Sequence, residues 1–334
     1  MKAIVLVGGF GTRLRPLTLT IPKPILPVGH RPILEHVITH LARHGIDQAV
    51  LSLGFKPDAF TDAYPTGRCA GVELIYAVEP EPLDTAGAIR FAAGVAGIHE
   101  PFVVVNGDVL ADVDVTALVD RHRQRGAEGT IGLTGVEDPS AFGVVPTDDR
   151  GRVLAFIEKP TREDAPTNLV NAGTYVLETS VLARIPDGRK VSIERETFPQ
   201  MVAEGTLFAL PSNGYWLDTG LPHQYLQANL DMLDRRRENP LPGVALGEGA
   251  KVDPAAVVRH SVVGAGAVVA AGAVLVDSLL LPEVRIEAGA RLERSIVGPR
   301  SVIGAGSVLT DVVIGADVEI EANQTLADAR VPAP

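Results

Sequence analysis

The residues of this chain best suited to chemistry begin at Gly8. An apolar run, Ala3–Val7, leads straight into Gly8-Gly9-Phe10-Gly11-Thr12-Arg13. Glycines let a backbone approach a phosphate closely, and successive N–H groups make an anion nest. Two common phosphate loops do not fit. GxGxxG would need glycine at Leu14, and no GK[ST] follows. The charge distribution agrees with an anionic ligand. The 334 residues carry a formal net charge of −11, yet residues 1–34 hold Lys2, Arg13, Arg15, Lys23 and Arg31 and no Asp or Glu. The acidic balance excludes a nucleic-acid-wrapping surface, while the basic segment concentrates positive charge locally.

Further along, carboxylates fall at the ends of strand-like runs. Val103-Val104-Val105-Asn106-Gly107-Asp108 is a buried-strand pattern closing on an aspartate. Ligands of open α/β sheets bind at the carboxyl ends of strands, where a carboxylate is placed to hold Mg²⁺ against nucleotide phosphates. A turn or N-cap role is the alternative for Asp108. Glu158-Lys159-Pro160 ends another strand pattern, where a charged pair is often only a solvated rim. Asp218, in Tyr215-Trp216-Leu217-Asp218-Thr219-Gly220, could simply cap a turn before a helix at Pro222. Asp84 precedes a helical pattern and suits an N-cap. His30, His36, His40 and His44 look clustered, but Ile33, Val37 and Leu41 take the apolar helix face. The histidines are therefore expected at exposed or boundary positions with no metal role.

The elements that must position these groups alternate. Strand patterns at Ala3–Val7, Gln48–Leu53, Val72–Val78 and Phe102–Val105 are interleaved with helical patterns at Pro32–Arg43, Ala86–Ala93 and Val115–Arg125. Such alternation implies an α/β fold with a mainly parallel sheet. From Thr130 strands dominate, at Thr130–Val136, Val153–Glu158 and Leu169–Leu177. Helical patterns return at Glu194–Glu204 and His223–Arg237. Pro240, Pro242 and Gly243 then break the chain. The expected division is a domain over residues 1–237, a linker over 238–243 and a second domain over 244–327.

In the second domain short apolar residues and glycines recur every six positions, as in Val263-Gly264, Val269-Ala270, Val297-Gly298 and Ile303-Gly304. Ile314-Gly315 and Ile320 resume the phase after a slip. Small residues sit four places after the apolar ones, at Ala267, Ala273, Ser301 and Ser307. A six-residue repeat marks a parallel β-helix, here of about four or five coils. Residues 275–295 break the phase and predict an irregular coil or small insertion. Cys69 is the sole cysteine, so a reducing, cytoplasmic setting is expected. The opening apolar run is too short to span a membrane.

The motifs resemble, in order, those of the sugar-1-phosphate nucleotidyltransferase family, and most of all its mannose-1-phosphate guanylyltransferase branch. Gly8, Gly9, Gly11, Thr12, Arg13, Leu14, Pro16, Leu17 and Thr18, followed by Pro22-Lys23-Pro24, match GGxGTRLxPLT and PKP. Pro82-Leu83-Asp84-Thr85-Ala86-Gly87 matches PLGTAG except at Asp84, and Val191–Pro199 is similar to the same branch. The resemblance implies a Rossmann-like catalytic domain followed by a short left-handed β-helix. It implies that Gly8, Gly9, Gly11, Thr12, Arg13, Lys23, Thr85 and Asp108 bind the nucleotide, with Arg13 and Lys23 on the triphosphate. Gly143, Glu158, Lys159 and Asn171 (of Asn171-Ala172-Gly173) would bind the sugar phosphate, and Arg13, Lys23 and Lys159 would carry catalysis. Asp108 and Asp218 would hold Mg²⁺, which would relieve their mutual repulsion.

The implied reaction joins an NTP and a sugar-1-phosphate into an NDP-sugar and pyrophosphate, by in-line attack without a covalent enzyme intermediate. GTP and mannose-1-phosphate are the first choice. Another hexose or cyclitol phosphate, with GTP, dTTP, UTP or ATP, would use the same phosphate machinery, and Asp84 leaves the substrate choice open. The rivals are a non-catalytic NDP-sugar-binding paralogue and a β-helix acyltransferase, which would have only His260 in that domain to use. The expected partners are NTP, sugar phosphate and further copies of the chain through the β-helix, with no nucleic acid or membrane.

Overall fold

The computed structural model describes residues 1–54, 57–237 and 245–333; the expected linker, 238–243, lies outside the described residues. The chain divides into two compact units, Met1–Gly9 with Leu34–Trp216, and Phe10–Ile33 with Leu217–Pro334.

The first unit is built on a ten-stranded mixed sheet. Its path runs Ile157–Glu158, Gly143–Val144, Leu169–Leu177, Phe102–Asn106, Lys2–Leu6, Gln48–Leu53, Val72–Val78 and Arg68–Cys69, with Gly129–Gly135 and Leu207–Ser212 branching from Leu169–Leu177. The four strands Phe102–Asn106, Lys2–Leu6, Gln48–Leu53 and Val72–Val78 are mutually parallel. The apolar runs of Phe102–Asn106, Lys2–Leu6 and Gln48–Leu53 are buried on both faces, with Ile4, Val50 and Val104 fully enclosed, whereas Val72–Val78 exposes Glu73 and Val78. The chain lays Gln48–Leu53 and Val72–Val78 on one side of Lys2–Leu6 and Phe102–Asn106 on the other. The gap between Lys2–Leu6 and Phe102–Asn106 is thus a topological switch point, where α/β sheets open a crevice for ligands.

The helices Ile33–Arg43, Asp84–Val95 and Val115–Arg125 follow the sequence pattern closely. The helix expected over His223–Arg237 runs Pro222–Leu233, and two further elements differ in kind. The strand expected over Val153–Glu158 is confined to Ile157–Glu158, because Val153 is drawn into an isolated bridge with Thr147. The helix expected over Glu194–Glu204 opens as a π-helical turn, Ile193–Thr197, before regular helix at Phe198–Glu204. Among the described residues no helix is long and apolar enough to cross a membrane.

In the second unit, three parallel sheets of five strands each make a three-faced prism consistent with a left-handed β-helix. Each strand pairs with the one 17 residues further on, as Val263 with Leu280 and Leu275 with Leu292. Strand pairing continues past residue 327 to Arg330–Val331.

The irregular coil expected over 275–295 is absent. The inward residues Leu275, Leu280, Ile286 and Leu292 are as buried and as regularly paired as their neighbours. One face of every coil is a residue short of six, so the phase slip read from sequence is the normal step of a 17-residue coil. The small residues Ala267, Ala273, Ser301 and Ser307 are fully buried inside the prism. Stacking leaves no room for a side chain at Gly298, where a Cβ would lie 2.3 Å from the Gly315 carbonyl oxygen. Buried serines knit the coils together. Ser261 Oγ accepts from Ser278 N at 3.0 Å, Ser278 Oγ from Ser295 N at 3.2 Å and Ser295 Oγ from Val312 N at 3.1 Å.

Candidate active site

In the first unit, the switch point is where the predicted phosphate and metal groups begin. Val7 N donates to Ser52 O at 3.1 Å, carrying the chain past the end of its strand into Gly8-Gly9. Next door, Gly107 N donates to Leu6 O at 2.9 Å. A Cβ on Gly107 would lie 2.4 Å from Val7 Cγ1 and 2.8 Å from Val5 Cγ1. Only glycine lets the end of Phe102–Asn106 come this close to Val5 and Val7, and half-buried Asp108 follows it directly in the chain. Glu79 completes this corner. Its carboxylate accepts from Ser52 Oγ at 2.9 Å and from Leu83 N at 3.0 Å, beneath Gly8.

The start of the helix Asp84–Val95 is tied to the Val191–Glu194 segment. Ala86 N donates to Val191 O at 2.9 Å, and Val191 N to Leu83 O at 3.0 Å. Thr85 Oγ1 donates to Glu194 Oε2 at 2.7 Å and accepts from Ile193 N at 2.8 Å. The Thr85 hydroxyl therefore joins the two guanylyltransferase-like segments. The N-cap expected of Asp84 is not formed. The residue is the first of the helix at φ 58°, and its carboxylate accepts from the adjacent Thr85 N at 2.9 Å. Left-handed backbone explains the PLGTAG glycine, and aspartate is among the few residues that tolerate it.

A second cluster of the first unit gathers the predicted sugar-phosphate residues. Gly143 pairs with Glu158 across antiparallel strands. A Cβ at Gly143 would meet the Phe156 ring at 2.7 Å and Glu158 Oε2 at 3.2 Å. Lys159 follows at φ 52°, its N–H donating to Phe142 O at 3.0 Å. Its ammonium lies 3.7 Å from Glu158 Oε1 and is more than half exposed. Asn171 sits where the pairing of Leu169–Leu177 with Gly129–Gly135 shifts register, a bulge of the kind that re-aims side chains. Its Oδ1 accepts from Gly173 N at 2.9 Å, and its Nδ2 donates to Tyr175 Oη at 2.8 Å. Burial pushes the Tyr175 phenol well above its ordinary value, so it stays neutral. Gly173, at φ 75°, lies against the Asn106 amide, which links the bulge to the strand leading to Asp108. Trp216 Nε1 donates to Ala172 O at 3.0 Å, and the Trp216 ring meets Phe142 edge-on at 5.2 Å.

The second unit holds the remaining predicted residues. Gly11, at φ 61°, turns the chain into a 3₁₀ turn, Thr12–Leu14, and its carbonyl accepts from Thr18 Oγ1 at 2.7 Å. Buried Lys23 places its Nζ 3.4 Å from Asp218 Oδ1, and Arg13 Nη2 lies 4.0 Å from Asp218 Oδ2. A Cβ on Gly220 would fall 2.6 Å from Arg13 Nη2, so the glycine two residues after Asp218 makes space for the guanidinium. Asp218 does not cap the helix Pro222–Leu233, which starts from Leu221. That helix secures the segment after Lys23. Tyr225 Oη donates to Pro27 O at 2.6 Å, and Gly29 N to Asn229 Oδ1 at 3.0 Å.

The predicted residues thus fall into three sets: Gly8-Gly9 and Asp108 after adjacent strands at the switch point, a Gly143–Glu158–Lys159–Asn171 group, and an Arg13–Lys23–Asp218 group. Among the described residues no set of three or more His, Cys, Asp or Glu side chains gathers to hold a metal. Asp108 and Asp218, each taken in its own unit, carry the hard oxygen donors that Mg²⁺ prefers. His40 and His44 sit at the boundary, bonded to Val113 O and Thr116 Oγ1, whereas His36 is buried rather than exposed. Sequence reasoning missed Glu79, and quoted Asn106, Gly107, Trp216 and Gly220 without giving them a role. Their signal was weak: a carboxylate at a strand end, and glycines flanking the two candidate metal aspartates.

Glycine loop, switch-point aspartate and spaced lysine define a class, and comparison with known proteins agrees. Residues 2–235 match the nucleotidyl transferase family, and residues 241–334 match the GMPPB C-terminal domain. The chain belongs to the nucleotidyl transferase family. It is 41% identical over 297 residues to a mannose-1-phosphate guanylyltransferase of Mycobacterium tuberculosis, covering 86% of this chain and 82% of that one. It is 40% identical over 261 residues to the mannose-1-phosphate guanylyltransferase catalytic subunit beta of Drosophila melanogaster, covering 76% and 70%. Among solved structures, HddC from Yersinia pseudotuberculosis complexed with GMP-PN aligns with a TM-score of 0.59 at 27% identity, covering 68% of this chain and 97% of that one.

Proposed function

We propose that this chain transfers a guanylyl group from GTP to mannose-1-phosphate, forming GDP-mannose and releasing pyrophosphate. The observation that carries the reading is the glycine loop at the sheet's switch point, with Asp108 after the adjacent strand, in a chain resembling a mannose-1-phosphate guanylyltransferase over 86% of its length. Gly8, Gly9, Gly11 and Thr12 bind the nucleotide phosphates through their backbone, and Thr85 holds the wall of the base pocket. Arg13 and Lys23 neutralise charge on the departing pyrophosphate. Lys159 holds the attacking phosphate, Glu158 and Asn171 receive the sugar hydroxyls, and Gly143 offers backbone to the sugar. A phosphate oxygen is already ionised at neutral pH, so no protein general base is required. Asp108 and Asp218 are the residues that would hold Mg²⁺, which when bound supplies charge neutralisation on the phosphates.

Residues 1–237 are assigned to catalysis, 238–243 to a linker, and the second domain, 244–327, to self-association, since stacked coils expose faces that can pair. A cytoplasmic setting is supported by the lone, buried Cys69 and the nucleotide substrate. The test is a panel of GTP, ATP, UTP and dTTP against hexose and cyclitol phosphates, reading pyrophosphate release. GTP with mannose-1-phosphate should show the highest kcat/KM; a different best pair refutes the substrate assignment. Asp218→Asn should lower turnover by about 10³-fold with the fold retained, and near-normal turnover refutes its role.

A further inference from the structure

Arg330 belongs to the last strand of the β-helix, 317 residues from the glycine loop. Its Nη1 donates to two main-chain carbonyl oxygens, those of Arg13 and Arg15, each at 3.1 Å. Around this contact the loop rests on the final coils. Pro16 abuts Gly315, where a Cβ would lie 3.1 Å from Pro16 Cβ, and Leu14 and Leu17 are buried. The loop has little regular structure of its own. Leu14 N bonds Gly11 O and Arg15 N bonds Thr12 O, closing one 3₁₀ turn. The Arg13 side chain is 65% exposed and reaches Asp218 only at 4.0 Å. A long, exposed guanidinium retains most of its rotamer freedom, so its aim depends on how firmly its main chain is held.

We propose that Arg330 is a positioning residue for nucleotidyl transfer, a clamp from the final β-helix coil that fixes the backbone of Arg13 so that its guanidinium is aimed before the triphosphate arrives. The inference rests on the role given to Arg13 above. It makes the last coil part of the catalytic apparatus. A terminal guanidinium nitrogen suits the task, because its two N–H bonds let Nη1 serve both carbonyls at once. Misplacing a charge-stabilising group by an ångström costs up to about 10²-fold in rate, so loss of the clamp should fall on kcat.

The test compares Arg330→Met, which keeps the apolar stem and removes every donor, with Arg330→Lys, which keeps donors, each alone and combined with Arg13→Ala. Arg330→Met should lower kcat about tenfold or more while the KM for mannose-1-phosphate and the melting temperature stay near wild type. Arg330→Lys should recover several-fold of that loss. With Arg13→Ala already present, Arg330→Met should cost nothing further. Three outcomes overturn the clamp: wild-type kcat in Arg330→Met, equal losses in the Met and Lys variants alongside a lowered melting temperature, or a full additional loss in the double variant. Near-normal turnover in Arg13→Ala alone refutes instead the role of Arg13, and a severe loss there with normal turnover in Arg330→Met refutes the clamp alone.

Discussion

Left-handed backbone outside glycine occurs in both parts of the chain, but on different terms. In the β-helix, His260, Asp277, Arg294, Asp311 and Asp328 lie 17 residues apart with φ between 42° and 54°. Each coil turns the same corner, and the corner N–H bonds the preceding coil, as Asp277 N to Arg259 O at 3.2 Å and Arg294 N to Val276 O at 3.1 Å. Such a residue costs about 1–2 kcal/mol in backbone strain, and stacking offsets it coil after coil. In the sheet unit, Ala70, Asp84 and Lys159 adopt φ of 48°, 58° and 52°, with no repeat to support them. Asp84 and Lys159 adjoin residues assigned to substrate; Ala70 does not. Strain that recurs is architecture, while strain that occurs once beside a binding group points to function.

Substitutions at the two kinds of corner should therefore separate. Lys159→Gly keeps the corner permissive and removes the ammonium; kcat/KM for mannose-1-phosphate should fall about 10²-fold, with thermal stability held within a few degrees. Normal kinetics would make Lys159 a solvated rim charge. Gly143→Ala pushes a methyl into the Phe156 ring and Glu158. It should destabilise by ~1–3 kcal/mol in chemical denaturation and raise the KM for the sugar phosphate; an unchanged KM would remove Gly143 from the site. Asp84→Gly restores the glycine of the related segment and should shift stability by no more than ~1 kcal/mol, leaving GTP preference unchanged. A switch of base preference would give the Asp84 carboxylate a recognition role that its geometry does not require.

The smallest effect belongs to a β-helix corner. His260 bonds Asp277 on the next coil at 2.6 Å and Asp234, at the end of the helix Pro222–Leu233, at 3.1 Å. The hydrogen bond to Asp277, aided by the charge of Asp234, raises the imidazole above its ordinary value. Arg236 and Arg294 line the same cavity of about 600 Å³. A raised folded value means the stabilisation is complete below the unfolded value near ~6.5 and fades as pH rises through the folded one. Melting scans should show His260→Gln less stable than wild type near pH 6 by a fraction of a kcal/mol, as for a solvent-screened pair, with the difference gone in alkaline buffer. Activity at neutral pH should not change.

Much of this was legible in the sequence, for identifiable reasons. Runs such as Val103–Val105 announce buried strands because both faces are covered, and the Ile33–Leu41 spacing announces a helix. The β-helix showed its period because every coil repeats one burial problem. Its 17-residue step was misread as a defect because a shortened face resembles a deletion when only hexads are counted. Asp84 was misread because a side chain suited to capping was holding a left-handed turn. Gly107, Gly220 and Arg330 had no role in the reading because each acts across a long sequence separation, and Glu79 had none because a single carboxylate after a strand makes no pattern. A missing Cβ or a carbonyl acceptor leaves no periodic trace.

The most direct measurement is a product balance with the purified chain, GTP, mannose-1-phosphate and Mg²⁺. The proposed chemistry requires one pyrophosphate released for each GDP-mannose formed, with both lost when the cation is chelated and restored on its return. Release of inorganic phosphate in place of pyrophosphate, or GDP-mannose binding without turnover for any nucleotide and sugar phosphate, would contradict it.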